Sequence, residues 1–339
     1  MRQEPPALRL PEESRINPPK VSVYMITYNH EKYIAQSLDS VLMQKTDFEY
    51  ELVIGEDAST DHTRDIIVEC QNRYPEIIRL LPPAANMGVL RNMARTLKAC
   101  RGQYVAVLEG DDYWTSPHKL QEQVNFLDSR PDYAICFHNS EVVYEAGYSG
   151  PRYWPGYWTE NPKETSTIED LLMNNFIPHS AVMFRNGLFG ELPEWFYGLE
   201  AGDWAWNVLN AQHGKIGCLK EVMAVYRVHG ESVWSSRGME LMIPPIIRAL
   251  DCFNLHLGYR YRRVIAKSKQ KNYRVLEIAS EELGDLRGAR TALHEVFAQN
   301  LILRSLPSPW DLKTLCRLYL RRPYFLLKSL KQALRSTKR

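Results

Sequence analysis

The sequence predicts an α/β fold: a mostly parallel sheet covered by helices on both faces, followed by an all-helical C-terminal extension. Three observations predict it. Short apolar runs alternate with segments of helical spacing four times over residues 21–108. Polar residues gather where those strands give way to helices. Beyond residue 240 no strand-like run remains, and the apolar spacing is helical throughout.

Residues 1–20 are rich in proline and charge and are expected as a flexible tail. The run 21–27 reads as a buried strand, closed by a turn at Tyr28-Asn29-His30. Ile34, Leu38, Val41 and Leu42 then fall at helical spacing. A second strand, 50–54, ends in Gly55-Glu56-Asp57, and Ile66, Ile67 and Cys70 mark the next helix. Residues 77–81 form a third strand. A Pro-Pro turn and Asn86-Met87-Gly88 lead from it into a helix that runs to Cys100. The fourth strand, 104–108, delivers Glu109-Gly110-Asp111-Asp112.

Further along, 133–137 and 177–185 are strand-like, 203–212 is helical, and 216–218 and 222–226 are short strands. Tyr153, Trp154, Tyr157 and Trp158 are expected to bury their loop on the core rather than to form a sugar platform. The expected division is a tail at 1–20, an α/β domain at 21–238 and a helical region at 239–339.

Composition narrows the class. Hydrophobic residues make up 45% of the chain and charged residues 24%, enough to predict a folded core. The six cysteines form no C-x-x-C pair, which argues against a disulfide framework or zinc knuckle and for a reducing compartment. Neither a signal peptide nor a run of apolar residues long enough to span a membrane is visible, so a cytoplasmic location is expected. Net charge is +2, but residues 301–339 hold ten Lys/Arg against the single acid Asp311, so the first 300 residues carry −7. A mildly acidic body argues against nucleic-acid binding. The basic end, where Pro323 splits two amphipathic segments, suits peripheral attachment of residues 310–339 to an anionic membrane surface at the inner face of the cell membrane.

Two adjacent carboxylates after a buried strand are costly unless a cation or hydrogen-bond donors meet them. Oxygen ligands of this kind suit Mg²⁺ or Mn²⁺, ions commonly shared with phosphate oxygens. A turn and helix cap is the plainer alternative for such a pair. The other polar strand ends, Thr27/Asn29, Glu56/Asp57 and Asn86, favour the first reading, because ligands of open α/β sheets bind at the carboxyl ends of strands.

In chain order, the matching pieces begin with Val23-Tyr24-Met25-Ile26-Thr27-Tyr28-Asn29 and Val53-Ile54-Gly55-Glu56-Asp57-Ala58-Ser59-Thr60-Asp61. Asn86-Met87-Gly88, Leu108-Glu109-Gly110-Asp111-Asp112-Tyr113-Trp114, Gly202-Asp203-Trp204 and Tyr226-Arg227-Val228-His229 follow. This series resembles the inverting family 2 glycosyltransferases with the GT-A fold, in particular bacterial enzymes that build cell-surface polysaccharides. The resemblance implies a Rossmann-like GT-A domain. It also implies transfer of a sugar, with inversion, from a nucleoside-diphosphate donor (UDP- or dTDP-linked) to a hydroxyl of a saccharide or lipid-linked acceptor.

By the same resemblance Thr27, Tyr28 and Asn29 line the nucleotide pocket, Asp57 accepts from the base, and Asn86 and Arg91 sit near the donor phosphates or ribose. Asp111 contacts ribose or metal, Asp112 ligates Mn²⁺ or Mg²⁺, and His229 joins it there. Asp203 is expected as the base that deprotonates the acceptor, with a helix N-cap as the alternative. The family often has Glu-Asp where this chain has Gly202-Asp203, and Asp where it has Glu109, which receives no role. His179 with Ser180, and Glu200, are candidates for the acceptor side. A non-catalytic nucleotide-sugar-binding or scaffolding subunit is the alternative function, marked by binding without turnover. A nucleotidyltransferase is disfavoured, because no Gly-rich phosphate loop follows the first strand.

Overall fold

A computed structural model describes residues 18–82, 85–153, 158–159, 162–232, 234 and 236–320. Alternation of strand and helix holds through the first half as expected: β1 (Val21–Thr27), α1 (Ile34–Leu42), β2 (Tyr50–Glu56), α2 (Thr63–Arg73), β3 (Ile78–Leu80), α3 (Val89–Ala99) and β4 (Tyr104–Glu109). These strands pair in parallel in the order β3-β2-β1-β4. All seven residues of β1 are buried. Val21, Val23 and Met25 enter a core with α1, α2 and β4's Leu108, while Tyr24 and Ile26 enter a second core on the other face. A strand covered on both sides has no polar face to spare, hence its continuous apolar run.

The second half departs from simple alternation. It comprises β5 (Tyr113–Trp114), α4 (Lys119–Asp128), β6 (Tyr133–Tyr144), β7 (Thr165–Ser166), α5 (Ile168–Met173), β8 (Val182–Arg185), α6 (Gly202–Ala211) and β9 (Lys215–Val228). β8 runs antiparallel between β4 and β6, and β5 and β7 both pair antiparallel with β9. The sheet order continues β4-β8-β6-β9-β5. Two expected short strands, 216–218 and 222–226, are one strand, because β9 stays paired with β6 across irregular registers near His138 and Asn139. The strand expected at 177–185 begins only at Val182; residues 179–181 form a 3-10 turn that sets His179 and Ser180 beside β4. Trp158 packs edge-on to Tyr226. Trp154 and Tyr157 lie outside the described residues.

Four helices follow among the described residues: α7 (Met239–His256), α8 (Arg262–Glu282), α9 (Leu286–Leu303) and α10 (Pro309–Tyr319). Phe253 of α7 and Ile265 of α8 belong to the same apolar cluster as Trp204 of α6. Asp285 caps α9 by accepting the Gly288 N–H at 2.9 Å, and Ser308 with Asp311 forms a capping box at α10. Among the described residues no helix is long and apolar enough to cross a membrane. The basic segment after residue 320, with Pro323, lies outside the described residues.

Candidate active site

Strands β1, β2 and β4 end side by side: Thr27 pairs with Glu56, and Ile26 with Glu109. The polar groups that follow them therefore share one edge of the sheet. Thr27 is buried, and its Oγ1 lies 3.2 Å from His30 Nδ1. Gly110 packs against both. A Cβ there would stand 2.5 Å from Thr27 Oγ1 and 2.9 Å from His30 Nδ1, so only glycine allows this approach. Asn29 turns the chain at φ 56°, donating its N–H to Ser59 Oγ at 3.0 Å and accepting the Thr60 N–H at 2.8 Å. Tyr28, between them, keeps 43% of its surface exposed.

Asp57 is buried, and its two carboxylate oxygens accept the N–H groups of Met87 and Gly88, each at 2.9 Å. The side chain thereby fastens the Asn86-Met87-Gly88 turn to the end of β2. Each oxygen keeps a second lone pair for a ligand N–H. Asn86 is exposed, its Oδ1 accepting from the Gly88 N–H at 3.2 Å. Arg91 faces a different feature. Its guanidinium lies 6.0 Å over the Tyr197 ring, and with Met87 it lines a cleft of about 560 Å³ between α3 and the segment 184–197.

Glu109, Asp111 and Asp112 each place a carboxylate oxygen within 4.8 Å of the others. The two aspartates are bonded differently. Asp112 is only 1% exposed; its Oδ1 accepts the Arg227 N–H at 2.9 Å and its Oδ2 accepts the Ser180 hydroxyl. Its own carbonyl takes the Ser37 hydroxyl. Asp111 Oδ2 lies 3.2 Å from His229 Nε2 and 3.8 Å from His30 Nε2, whereas its buried Oδ1 has no partner. The resemblance gave Asp112 the cation and Asp111 ribose or metal; in the structure Asp112 is tied into the protein, and Asp111 holds the open oxygen beside His229. Arg227 Nη1 donates to the Asp111 carbonyl at 2.5 Å, with the guanidinium 4.5 Å from the Tyr113 ring centre and 5.2 Å from that of Tyr33.

Burial pushes the Glu109 carboxyl well above its usual value, and the charges of Asp111, Asp112 and Asp203 push the same way. Asp112 is also driven up by burial and by Asp111, against the hydrogen bonds from Ser180 and Arg227. For Asp111 burial acts upward too, but the His229 hydrogen bond and the fields of His30 and His229 outweigh it and hold the carboxyl low. Several carboxylates in a dry pocket repel one another until positive charge joins them. An uncommitted oxygen with two more carboxylates within 4.8 Å fits a hard divalent cation, and His229 stands next to it.

Asp203 lies in the first turn of α6, whose N-cap position is Ala201, so the carboxylate is not spent as the cap. It is half-buried and accepts from Asn175 Nδ2 at 2.8 Å. Its charge acts on both Glu109 and His179. His179 Nε2 is 3.7 Å from Glu109, and burial lowers its pKa against the opposing charges of Asp203 and Asp111. Trp204 Nε1 donates to the Leu171 carbonyl at 3.0 Å and anchors the helix.

The structure thus joins Thr27, Asp111, Asp112 and His229 around β4, while Asp203 meets Asn175 at the start of α6. It sets Asp57 with Asn86 on the neighbouring strand end and leaves Arg91 at its own cleft. His30, Asn175 and Arg227 were missed as site residues, and Ser180, expected near the acceptor side, donates to Asp112. Arg227 holds Asp112 through its backbone N–H, a bond on which side-chain type carries no signal.

A family model described as "Glycosyl transferase family 2" matches residues 22–192, just over half of the chain. An uncharacterized protein of Mycobacterium tuberculosis is 39% identical over 217 residues, covering 64% of this chain and 61% of the relative. The chain therefore matches less than two thirds of that relative's length. The putative teichuronic acid biosynthesis glycosyltransferase TuaG of Bacillus subtilis is 30% identical over 174 residues, covering 51% of this chain and 65% of the relative. Among solved structures, S. aureus TarS 1–349 in complex with UDP-GlcNAc has a TM-score of 0.52 at 19% identity, covering 83% of this chain and 92% of that one. That likeness is one of fold.

Proposed function

The chain belongs to glycosyl transferase family 2, and we propose that it moves a sugar, with inversion, from a nucleoside-diphosphate donor to a hydroxyl of a saccharide or lipid-linked acceptor. The product is a cell-surface polysaccharide. The observation that carries this reading is the Glu109, Asp111 and Asp112 cluster, Asp112 buried and the other two half-buried, with an unpartnered Asp111 oxygen, at the edge where three strands end. A bound Mn²⁺ or Mg²⁺ there supplies Lewis-acid charge for the departing nucleoside diphosphate. Asp111 and His229 hold it, with Glu109 within reach, and Asp112 braces the loop that presents them.

The protein's own groups do the rest. Thr27, Tyr28 and Asn29 shape the nucleotide pocket, with the exposed Tyr28 ring as a stacking surface for the base. Asp57 accepts a ring N–H of the base, as a uracil or thymine presents, while it holds the Asn86 turn beside the ribose. Arg91 lies toward the donor phosphates or the acceptor. A uridine donor also agrees with the UDP-GlcNAc complex of the structural neighbour. Asp203 takes the acceptor's proton as the hydroxyl attacks the anomeric carbon opposite the leaving group, which inverts its configuration. Residues 21–238 form the transferase domain, and the C-terminal region 239–339, helical as far as Tyr319, keeps the enzyme at the inner face of the membrane where a lipid-linked acceptor is met.

The test is nucleoside diphosphate release from a panel of nucleotide sugars, with and without Mn²⁺. Release that survives complete chelation would overturn the cation's role. Donor binding without turnover, across a wide acceptor panel, would replace the enzyme by a binding subunit.

A further inference from the structure

The turn between α9 and α10 and the outer face of α10 carry an unusual surface. Leu301 is 81% exposed, Leu306 90% and Trp310 47%, and all three stand around one short turn. On α10 the inward residues Asp311, Thr314 and Leu318 are buried, Leu318 against Ala289 and Leu293 of α9. Leu312, Cys316 and Leu320 point away at helical spacing and are exposed. The charges bordering the apolar residues are the exposed cations Arg304 and Lys313. The one acid between residues 301 and 320, Asp311, is turned inward and closed by Arg274, whose Nε and Nη2 each donate to it at 2.9 Å. The surface presented outward is therefore apolar and positive, with no exposed carboxylate between residues 301 and 320.

We propose that this surface docks on an anionic lipid bilayer, with Leu306 and Trp310 entering the interface and Arg304 and Lys313 meeting lipid phosphates. The inference deepens the membrane location proposed above and rests on it. Charge complementarity chooses the occupant. Residues 321–339 bring seven Lys/Arg and no acid, so folding them back onto Arg304 and Lys313 sets like charges together. An anionic bilayer attracts both at once. Tryptophan is also the side chain that best tolerates the boundary between head groups and acyl chains. No described helix is long and apolar enough to cross a bilayer, so this surface would lie along it.

Co-sedimentation of the full chain with vesicles tests this. The protein should bind phosphatidylcholine mixed with phosphatidylglycerol, bind phosphatidylcholine alone far less, and lose binding as salt rises. The double variant Leu306→Ser, Trp310→Ser should bind the anionic vesicles at least about tenfold more weakly. Because both residues are exposed and far along the chain from the transfer site, donor turnover with a water-soluble acceptor should be unchanged. Equal vesicle binding by wild type and variant, or no binding by either, overturns the proposal. So does a dimer in vesicle-free solution that the variant dissolves, which would assign the surface to a second copy. Vesicle binding by a protein that turns over no donor upholds the surface and counts against the transferase reading instead.

Discussion

In the parallel half of the sheet, the polar groups that follow β1 and β2 sit within a few residues of their own strand end, and their partners come from the segment after the next strand. Asn29 meets Ser59 and Thr60 in this way, and Asp57 holds Met87 and Gly88. The half built on β8, β6, β9 and β5 works from a distance. Ser180 reaches Asp112 across 68 residues of chain, the Arg227 N–H across 115, and His229 reaches Asp111 across 118. Local loops thus form the wall proposed for the nucleotide, while remote segments fix the orientation of the acidic cluster. Perturbing the two halves should accordingly produce different defects.

The largest effect is expected on the remote side. Asp203→Ala should lower transfer by roughly 10²- to 10⁴-fold, the span of a general base, with donor affinity kept. Steady-state kinetics and donor titration check this, and full activity in the variant would sink the base assignment. Ser180→Ala comes next. It strips Asp112 Oδ2 of its donor in a buried site, which should cost about 1–3 kcal/mol of stability. It should also weaken Mn²⁺ binding by about 10- to 100-fold, as loss of a supporting partner does. Calorimetric metal titration reads this directly, and an unaltered affinity would make Asp112 a bystander.

On the local side, Asp57→Asn should raise KM for the donor by about tenfold, because a charge-assisted acceptor of two N–H groups is lost, and leave kcat nearly intact. A fall in kcat with KM unchanged would erase the contrast between the halves. The smallest effect concerns Glu109. Its carboxyl is pushed above the ordinary value, so ionising it costs more in the folded chain than in the unfolded one. The penalty is absent below about pH 4, the ordinary carboxylate value, and grows as pH climbs toward the raised folded value. In chelator at neutral pH, Glu109→Gln should therefore raise Tm, and added Mn²⁺ should stabilise wild type more than the variant. Thermal melts across pH, with and without Mn²⁺, decide it; a lower Tm for the variant at neutral pH would refute the repulsion.

The same contrast explains what could be read from the amino acids alone. The parallel strands announce themselves through continuous apolar runs, and their polar ends fall in a short stretch of chain. Thr27, Asp57, Asp111 and Asp112 could therefore be grouped before any coordinates. The split of roles within the acid pair could not be. Which carboxylate is tied down depends on a hydroxyl in a 3-10 turn and on a main-chain N–H, and neither leaves a mark in residue type at Asp111 or Asp112. His179 and Ser180 could be named for the acceptor side, but the tie from Ser180 to Asp112 could not, because the apolar run from Ile177 to Arg185 looks like one strand and hides the 3-10 turn that aims the hydroxyl. Asp203 and His229 were visible as short motifs, yet both lie beyond the 22–192 stretch that the family model matches, where only the fold brings them back to β4.

The long strand β9 carries a consequence for how such a chain can evolve. Its 14 residues stay paired with β6 up to Val228, immediately before His229. Adding or deleting one residue between 222 and 228 would swap the faces of everything after it, withdrawing the Arg227 N–H from Asp112 and turning His229 away. Changes of chain length should therefore collect in connecting segments such as 145–164 and 186–201. Grafting those segments between relatives becomes a route to new acceptors that leaves the transfer chemistry standing. Gaps within 222–228 among active relatives would show that the strand is not the fixed ruler it resembles.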